Sequence, residues 1–206
     1  MKFDFCLLNN APDEIKKFAC ELESAGFNGI YTFEGQHDPF IPLAFAAAST
    51  KNIDLMTAVA IAFGRSPLTI AHTAYDLNFI SEGRFTLGLG SQVKAHIERR
   101  YSMPWSHPAA RMKEYVSALR SIWNCWQYGA DLNFKGNFYE HTLMSPTFNP
   151  GPTNFGIPKI FLGGVGDSMV RVAGEVGDGH IIHPFHTKEY LLTHTLPTLK
   201  SLLQNA

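Results

Sequence analysis

The sequence predicts an α/β fold in which about six strands alternate with helices and form a parallel sheet that curls towards a (β/α)8 barrel. Hydrophobic residues make up 45% of the 206 positions, enough for a sizeable core. The stretch 53–60 is almost wholly apolar, as expected of a strand buried on both faces of a parallel sheet. No linker separates blocks of different composition, so we expect residues 1–206 to form one barrel-type domain. A doubly wound open sheet shows the same alternation and is an alternative.

Local patterns define the elements of the first half of the chain. Pro12 opens a helix with apolar residues at 3.6-residue spacing, and Gly26 ends it as a C′ glycine. The segment PLAFAAAS predicts a second helix whose small residues indicate close packing. A third helix runs from Pro67 to about Phe79, before a turn at Glu82–Gly83. The first four strands are predicted at 2–8, 29–33, 53–60 and 85–90.

The second half adds a long helix, a hairpin and two further strand–helix units. Ser106 is expected to cap a helix from Pro108 to about Trp126, whose apolar stripe indicates a buried face. Gly136–Asn137 predicts a two-residue turn in a small β-hairpin inserted before the fifth strand. The remaining elements are predicted as a loop over 146–158, strands at 159–163 and 179–183, and helices at 167–176 and 188–203.

Charge and cysteine content exclude several classes of function. The 17 basic and 18 acidic side chains leave a formal net charge of −1, so no overall positive field is available to hold a nucleic acid. The longest apolar stretch, Met56–Phe63, is too short to cross a membrane, and the first residues do not resemble a signal peptide. Cys6, Cys20 and Cys125 form no CxxC pair, which argues against a disulfide framework. We therefore expect a cytoplasmic protein.

The candidate site lies where strands end, because ligands bind at the carboxyl ends of parallel strands in both architectures. The loop after the second strand carries Glu34 and His37, which we expect to be the catalytic residues, and His37 next to Asp38 suits an oriented acid/base pair. A loop histidine satisfied by its neighbours is the alternative. Small apolar residues at the end of the third strand, Ala58 and Val59 among them, are suited to a flat wall. The end of the fourth strand adds Gly90 and Ser91.

The turn after the fifth strand has the features of a phosphate site. Its glycines let backbone amides approach a ligand, and the helix that begins at Asp167 offers free N–H groups and a favourable dipole. A plain tight turn between strand and helix is the alternative. The spacing is neither GxGxxG nor that of a Walker loop, so neither a dinucleotide-binding domain nor a P-loop enzyme follows. The residues expected to bind the phosphate are Gly163, Gly164, Val165, Gly166 and Ser168.

Histidines near the end of the sixth strand are candidate substrate contacts. His183 and His186 flank the bend at Pro184 and are expected to face a small-molecule substrate. His180 and His183 lie three apart on an extended strand and point to opposite faces, which argues against a shared metal ion. Because no carboxylate-rich motif accompanies them, we expect no metal site, and a metal-dependent hydrolase is a distant alternative.

Four segments in a fixed order carry a family resemblance: IYTFE at 30–34, HDPFIPLA at 37–44, SEGRFTLGLG at 81–90 and FLGG at 161–164. Together they resemble the luciferase-like monooxygenase superfamily, and the segment 91–115 is similar to its branch of oxidoreductases that use the deazaflavin coenzyme F420. The similarity covers essentially the whole chain. It depends on the order of the segments, since no single motif is specific.

The resemblance implies a barrel that binds F420, which we favour, or FMN at its C-terminal face. The ring would lie against the bulge after the third strand, where a non-prolyl cis peptide is expected at Ala58–Val59. Glu34 matches the acidic position near the ring edge, and the turn at Gly163–Gly164 matches the phosphate-binding turn. The chemistry implied is hydride transfer, or oxygen activation with FMN, on a small organic substrate. A non-catalytic flavin-binding protein is the alternative.

The chain also departs from the family pattern. Gly35 stands where many relatives have histidine, and the position near Gln92 lacks a glutamate found in some F420 enzymes. The match stops after the sixth strand–helix unit, so the strands that would close the barrel are missing. We expect a homodimer or a complementing chain to cover the open edge, unless the fold is rearranged or the chain is a fragment.

Overall fold

A computed structural model describes residues 1–8 and 11–203. The strands are β1 Asp4–Cys6, β2 Gly29–Thr32, β3 Asp54–Thr57, β4 Ala60–Ile61, β5 Phe85–Gly90, β6 Phe134–Lys135, β7 Glu140–His141, β8 Lys159–Gly163 and β9 Gly179–Ile181. The helices are α1 Pro12–Ser24, α2 Phe40–Ser49, α3 Pro67–Ile80, α4 Lys94–Arg99, α5 Pro108–Tyr128, α6 Asp167–Val176, α7 Lys188–Tyr190 and α8 Leu196–Leu203. A π-helix, Leu191–Thr195, joins α7 to α8, and 3₁₀ turns lie at Ala62–Gly64 and Pro146–Phe148.

The main sheet is parallel and curls into an incomplete barrel. Its strand order, β1-β2-β3-β5-β8-β9, follows the chain, and β4 pairs with β5 beyond the end of β3. Because the order never reverses, the doubly wound alternative is wrong and the predicted barrel-type fold is confirmed. Within the described residues β1 and β9 each pair on one side only, which leaves the half-barrel open between them.

The core lies between the sheet and the helices on its outer face. Alternate strand residues such as Leu55, Leu87 and Ile160 point outwards and are completely or almost completely buried under the helices. The predicted stripe of α5 is confirmed, since Tyr115 and Trp123 are fully buried. Among the described residues, no helix is both long and apolar enough to cross a membrane.

Two local predictions in the second half are wrong. Ser106 does not cap α5: the residue before the helix is His107, in a left-handed conformation, and the helix starts with Pro108 at its first position. The hairpin of β6 and β7 turns through the four residues 136–139, because Lys135 pairs with Glu140. The carboxylate of Glu114 accepts hydrogen bonds from three backbone N–H groups of that turn, at 2.6 to 2.8 Å, so the chain wraps around it.

Candidate active site

The inner face of the half-barrel forms a cleft of about 670 Å³ at the carboxyl ends of the strands. Four predicted site residues line it, namely Glu34, Ala58, Val59 and His183. The rest of the lining is mainly apolar and comes from β1 to β4, from β9, and from the residues that follow β2, β5 and β9. These further lining residues include Cys6, Tyr31, Phe33, Met56, Ile61, Gln92, Ile181 and Ile182. The cleft therefore combines an apolar surface with two carboxylates, Asp4 and Glu34, and one imidazole.

A bulge between β3 and β4 forms one wall of the cleft. The peptide bond Ala58–Val59 is cis, as predicted. The Ala58 N–H donates to the Thr32 carbonyl at 2.6 Å, and the Val59 carbonyl accepts from the Glu34 N–H at 3.1 Å. The wall is thus fastened by its backbone to the end of β2.

Two predicted cofactor-binding glycines support this wall from the inside of the barrel. A Cβ atom on Gly90 would lie 2.7 Å from one methyl group of Val59, and a Cβ on Gly163 would lie 2.9 Å from the other. Both distances are shorter than real Cβ contacts allow, so only glycine leaves room for the Val59 side chain at these positions. The need for glycine there is explained by Val59.

Glu34 lies at the centre of a hydrogen-bond network, and its side chain is only 6% exposed. Oε2 accepts from the Ile61 N–H at 2.8 Å and from Nη1 of Arg65 at 2.7 Å, while Oε1 accepts from the Tyr101 hydroxyl at 2.7 Å. Burial and the hydrogen bond to Glu34 raise the pKa of Tyr101 to about 12. Burial by itself would lower the pKa of Arg65, but the hydrogen bond and charge of Glu34 outweigh it and raise that pKa.

Asp38 serves the same network rather than pairing with His37. Its Oδ2 accepts from Nη2 of Arg65 at 3.2 Å, and its Oδ1 accepts from the Phe40 N–H at 2.8 Å at the start of α2. His37 is exposed and lies outside the cleft lining, in an adjoining pocket of about 510 Å³ that also includes Arg100. The structure thus separates the two predicted catalytic residues into neighbouring pockets.

The turn before α6 follows Gly163, the last residue of β8. A Cβ on Gly164 would clash with the side chain of Met169, so packing of α6 explains this glycine. Gly166 precedes the first residue of α6, contributes no side chain to cap it, and faces open space. Val165 and Ser168 are exposed, and the Val165 carbonyl accepts from a tyrosine hydroxyl of α7. The predicted phosphate turn is therefore open at Gly166 and packed at Gly164.

The ends of β5 and β9 place their predicted residues differently. Ser91 donates its hydroxyl to the Gln92 carbonyl at 3.1 Å, and Gln92, with a positive φ of 60°, lines the cleft. His183 lines the cleft, whereas His186 lies outside it, with ring centres 6.3 Å apart. Neither ring nitrogen of His186 has a hydrogen-bond partner among the described residues. In that part of the chain no three His, Cys, Asp or Glu side chains group closely enough to hold a metal ion.

Sequence reasoning missed the partners of Glu34. Arg65 is a single charge after the apolar run 58–63, which is the signal that could have marked it as a buried ion-pair partner. Tyr101 ends the cluster HIERRY in a region predicted as loop, and its ring packs where Gly64 lacks a side chain. The contacts of these residues with Glu34 span 31 and 67 positions, beyond the reach of local patterns.

Comparison with known proteins places this fold and site in a family. The family model described as luciferase-like monooxygenase matches residues 1–206. The chain belongs to this family. Among curated members, it is 48% identical over 181 residues to the uncharacterized protein Rv1360 of Mycobacterium tuberculosis, covering 88% of this chain and 53% of that protein. It is 30% identical to the putative coenzyme F420-dependent oxidoreductase Rv3520c of the same organism, covering 82% and 50%. The chain thus spans about half the length of these luciferase-like relatives.

Solved structures share the fold at lower identity. The monooxygenase RslO1 from Streptomyces bottropensis superposes with a TM-score of 0.84 at 23% identity, covering all of this chain and 67% of the other. An F420-dependent secondary alcohol dehydrogenase in complex with an F420–acetone adduct gives 0.81 at 19%, covering 100% and 65%. The oxygenating constituent of 3,6-diketocamphane monooxygenase from Pseudomonas putida, in complex with FMN, gives 0.77 at 18%, covering 100% and 63%. At these identities the likeness shows the fold alone.

Proposed function

We propose that the cleft binds the ring of F420, with FMN as the alternative, and that the chain is part of an oxidoreductase acting on a small organic substrate. The observation that carries the proposal is the apolar wall at the carboxyl ends of the strands, where Ala58 and Val59 are held between β2 and two glycines. The relatives support the choice of cofactor, since one is named as F420-dependent and one solved structure holds an F420 adduct, whereas another holds FMN.

The cleft fits such a ring in size and in chemistry. Its volume of about 670 Å³ lies within the range of small-molecule sites, which are mostly apolar with few polar groups. Ala58, Val59 and Ile61 would contact one face of the ring, and the carboxylate of Glu34 lies at the margin of that wall. When bound, the cofactor supplies the hydride chemistry, or oxygen activation in the case of FMN. The open N-terminus of α6, at Gly166 and Ser168, would hold its phosphate.

The histidines take the remaining proposed roles. His37 is the proposed acid/base group, reached from the neighbouring pocket, because its imidazole is exposed and Asp38 is engaged elsewhere. His183 is proposed to contact the substrate, since it lines the cleft. His186 would act behind it, through the ring contact between the two imidazoles.

We also propose that a second copy or a complementing chain covers the open edge of the sheet. In the described part of the chain, β1 and β9 each have one unpaired side. Ile182, which lines the cleft, is 43% exposed to solvent. An unpaired strand edge beside apolar surface is a site for association.

Titration with F420 and with FMN, followed separately by fluorescence, tests the cofactor. We expect binding that is abolished by Ile182→Glu, which puts a charge into the apolar cleft, and retained by the control Ile41→Glu at an exposed position of α2. Equal loss in both variants, or no binding of either cofactor to the unsubstituted chain, would contradict the proposal. Anaerobic reduction of the bound cofactor by alcohols or sugar phosphates then separates an oxidoreductase from a non-catalytic flavin-binding protein.

A further inference from the structure

Glu34 contacts the chain at Val59 and at Ile61, and it also contacts two side chains from different loops. Its own backbone N–H holds the Val59 carbonyl, and its Oε2 holds the Ile61 N–H. A single residue thus ties the chain on either side of Ala60 to the end of β2.

The two side chains that hold this carboxylate come from elements distant in sequence. Arg65 follows the 3₁₀ turn after β4, and its Nη1 lies 2.7 Å from Glu34 Oε2 and 3.4 Å from the Ile61 carbonyl. Tyr101 follows α4 and donates to Oε1 at 2.7 Å. Arg100 in turn lies 3.0 Å from the Tyr101 hydroxyl and 3.4 Å from the Gly35 carbonyl, so the segment after α4 is fastened to the loop after β2.

We propose that Glu34 is a positioning residue whose carboxylate, fixed by Arg65 and Tyr101, sets the position of the wall formed by 58–61 against which the ring lies. The inference rests on the proposed function, because the wall needs a ring to position. It assigns Arg65 and Tyr101, neither of which was a predicted site residue, to the same role. These residues act through the backbone of the bulge and need not touch the substrate.

The hydrogen bonds explain why a carboxylate suits this position. All three of its partners donate: one backbone N–H, one guanidinium and one phenol. Two acceptor oxygens without a hydrogen match these donors, and the guanidinium offsets the charge in a place that is largely shielded from water. An amide can keep its oxygen on Arg65 and the Ile61 N–H only by turning its NH₂ group towards the Tyr101 hydroxyl, and it has no charge to pair with Arg65. Glu34→Gln should therefore lose the acceptor for Tyr101 and weaken the hydrogen bonds to the other oxygen.

The test measures the bulge first in the cofactor-free chain. Amide exchange of Ile61, read by NMR, should become about tenfold faster in Glu34→Gln, the ratio expected when a neutral oxygen replaces a charged acceptor, and should also rise in Tyr101→Phe. The change should be confined to residues near 58–61. Tyr128→Phe on exposed α5 surface is the matched control and should exchange like the unsubstituted chain. An unchanged Ile61 rate in Glu34→Gln, or a uniform rise across β2 and β3, would overturn the inference.

The second measurement uses the cofactor. Tyr101→Phe should weaken binding and shift the absorption band of the bound ring, because the wall is no longer held in one position, whereas Tyr128→Phe should change neither. A chain that binds cofactor with the same affinity and spectrum in Glu34→Gln and Tyr101→Phe would also overturn the inference. If neither F420 nor FMN binds at all, the proposed function fails, and the exchange of Ile61 alone decides whether Glu34 fixes the bulge.

Discussion

At the level of single residues, partly buried carboxylates that accept hydrogen bonds from backbone N–H groups fix several loops of this protein. Glu23 is the simplest case: its Oε1 accepts from the N–H groups of Lys51, Asn52 and Ile53 at 2.6 to 3.0 Å, which fastens the turn before β3 to α1. Burial would raise the pKa of Glu23, but these backbone hydrogen bonds, helped by the charge of Arg84, outweigh it and lower the pKa.

The lowered pKa of Glu23 predicts a pH-dependent contribution to stability. A group whose pKa is depressed in the folded state stabilises the fold above its unfolded pKa of about 4.3, and this contribution is lost as the pH falls through the folded pKa. At pH 7, Glu23→Gln should lower the free energy of unfolding by about 1–2 kcal/mol. The difference from the unsubstituted chain should narrow below pH 4, as urea denaturation at several pH values would show.

Glu21→Gln is the matched control for this prediction. Glu21 lies on the same helix, and its side chain is 57% exposed, 3.9 Å from Lys17 in an ion pair between exposed groups. Pairs of this kind contribute little to stability. A penalty for Glu23→Gln that stays constant from pH 7 to pH 3, or one no larger than that of Glu21→Gln, would show that the backbone contacts are not what Glu23 contributes.

At the level of elements, sequence patterns predicted correctly the strands and helices whose ends depend on residues close in sequence. Strand β5, strand β8 and helix α6 have the predicted bounds at both ends, because glycines, a proline and apolar runs delimit them. The hairpin turn was wrong because Glu114, a residue of α5, shapes it from 23 positions away. The last helix, predicted as one piece, contains a π-helix directly before Pro197, whose ring cannot donate a backbone hydrogen bond.

The candidate site shows the same division between local and distant determinants. The rule that ligands bind at strand ends located Glu34, the bulge and His183 without knowledge of the fold. It could not tell that Gly90 and Gly163 leave space for Val59, because that contact joins the bulge to two strands. Nor could it tell that His186 lies outside the cleft, because the chain turns between the two histidines, where the His186 N–H donates to the His183 carbonyl.

The packing of Val59 between two glycines predicts a steric coupling between the bulge and β8. Gly163→Ala would place a methyl group 2.9 Å from a methyl of Val59, so we expect a loss of about 1–3 kcal/mol in the free energy of unfolding. The loss should be smaller when Gly163→Ala is made in a Val59→Ala background, where space is available. Denaturant unfolding of the four chains of this double-mutant cycle measures the coupling.

Gly166→Ala provides the control for this cycle. Gly166 is three residues further along, has a negative φ, and a Cβ there would meet no atom within 4 Å. Gly166→Ala should lower the free energy of unfolding by a few tenths of a kcal/mol, because alanine is less favourable than glycine at the residue before a helix. Additive effects of Gly163→Ala and Val59→Ala would mean that the wall does not rest on this strand.

At the level of the whole molecule, the open half-barrel links the fold to its proposed partner. The chain spans about half the length of its curated luciferase-like relatives, and in the described residues β1 and β9 are edge strands. Cys6 of β1 faces the cleft and is half-buried, beside Tyr31 of β2. Native edge strands avoid pairing when an inward-pointing lysine lies on them. A lysine at position 6 should therefore prevent a second chain from covering this edge.

Sedimentation velocity in the presence of a reducing agent tests this expectation without the cofactor. The unsubstituted chain should associate with rising concentration, and Cys6→Lys should remain monomeric over the same range. Cys20→Lys, which also removes a thiol but lies on exposed α1 surface, should associate like the unsubstituted chain. Circular dichroism must show that both variants keep their secondary structure. If Cys6→Lys associates like the unsubstituted chain, the contact between copies lies elsewhere. If the unsubstituted chain stays monomeric at all concentrations, a second copy does not cover the edge, and a complementing chain of different sequence is the remaining candidate.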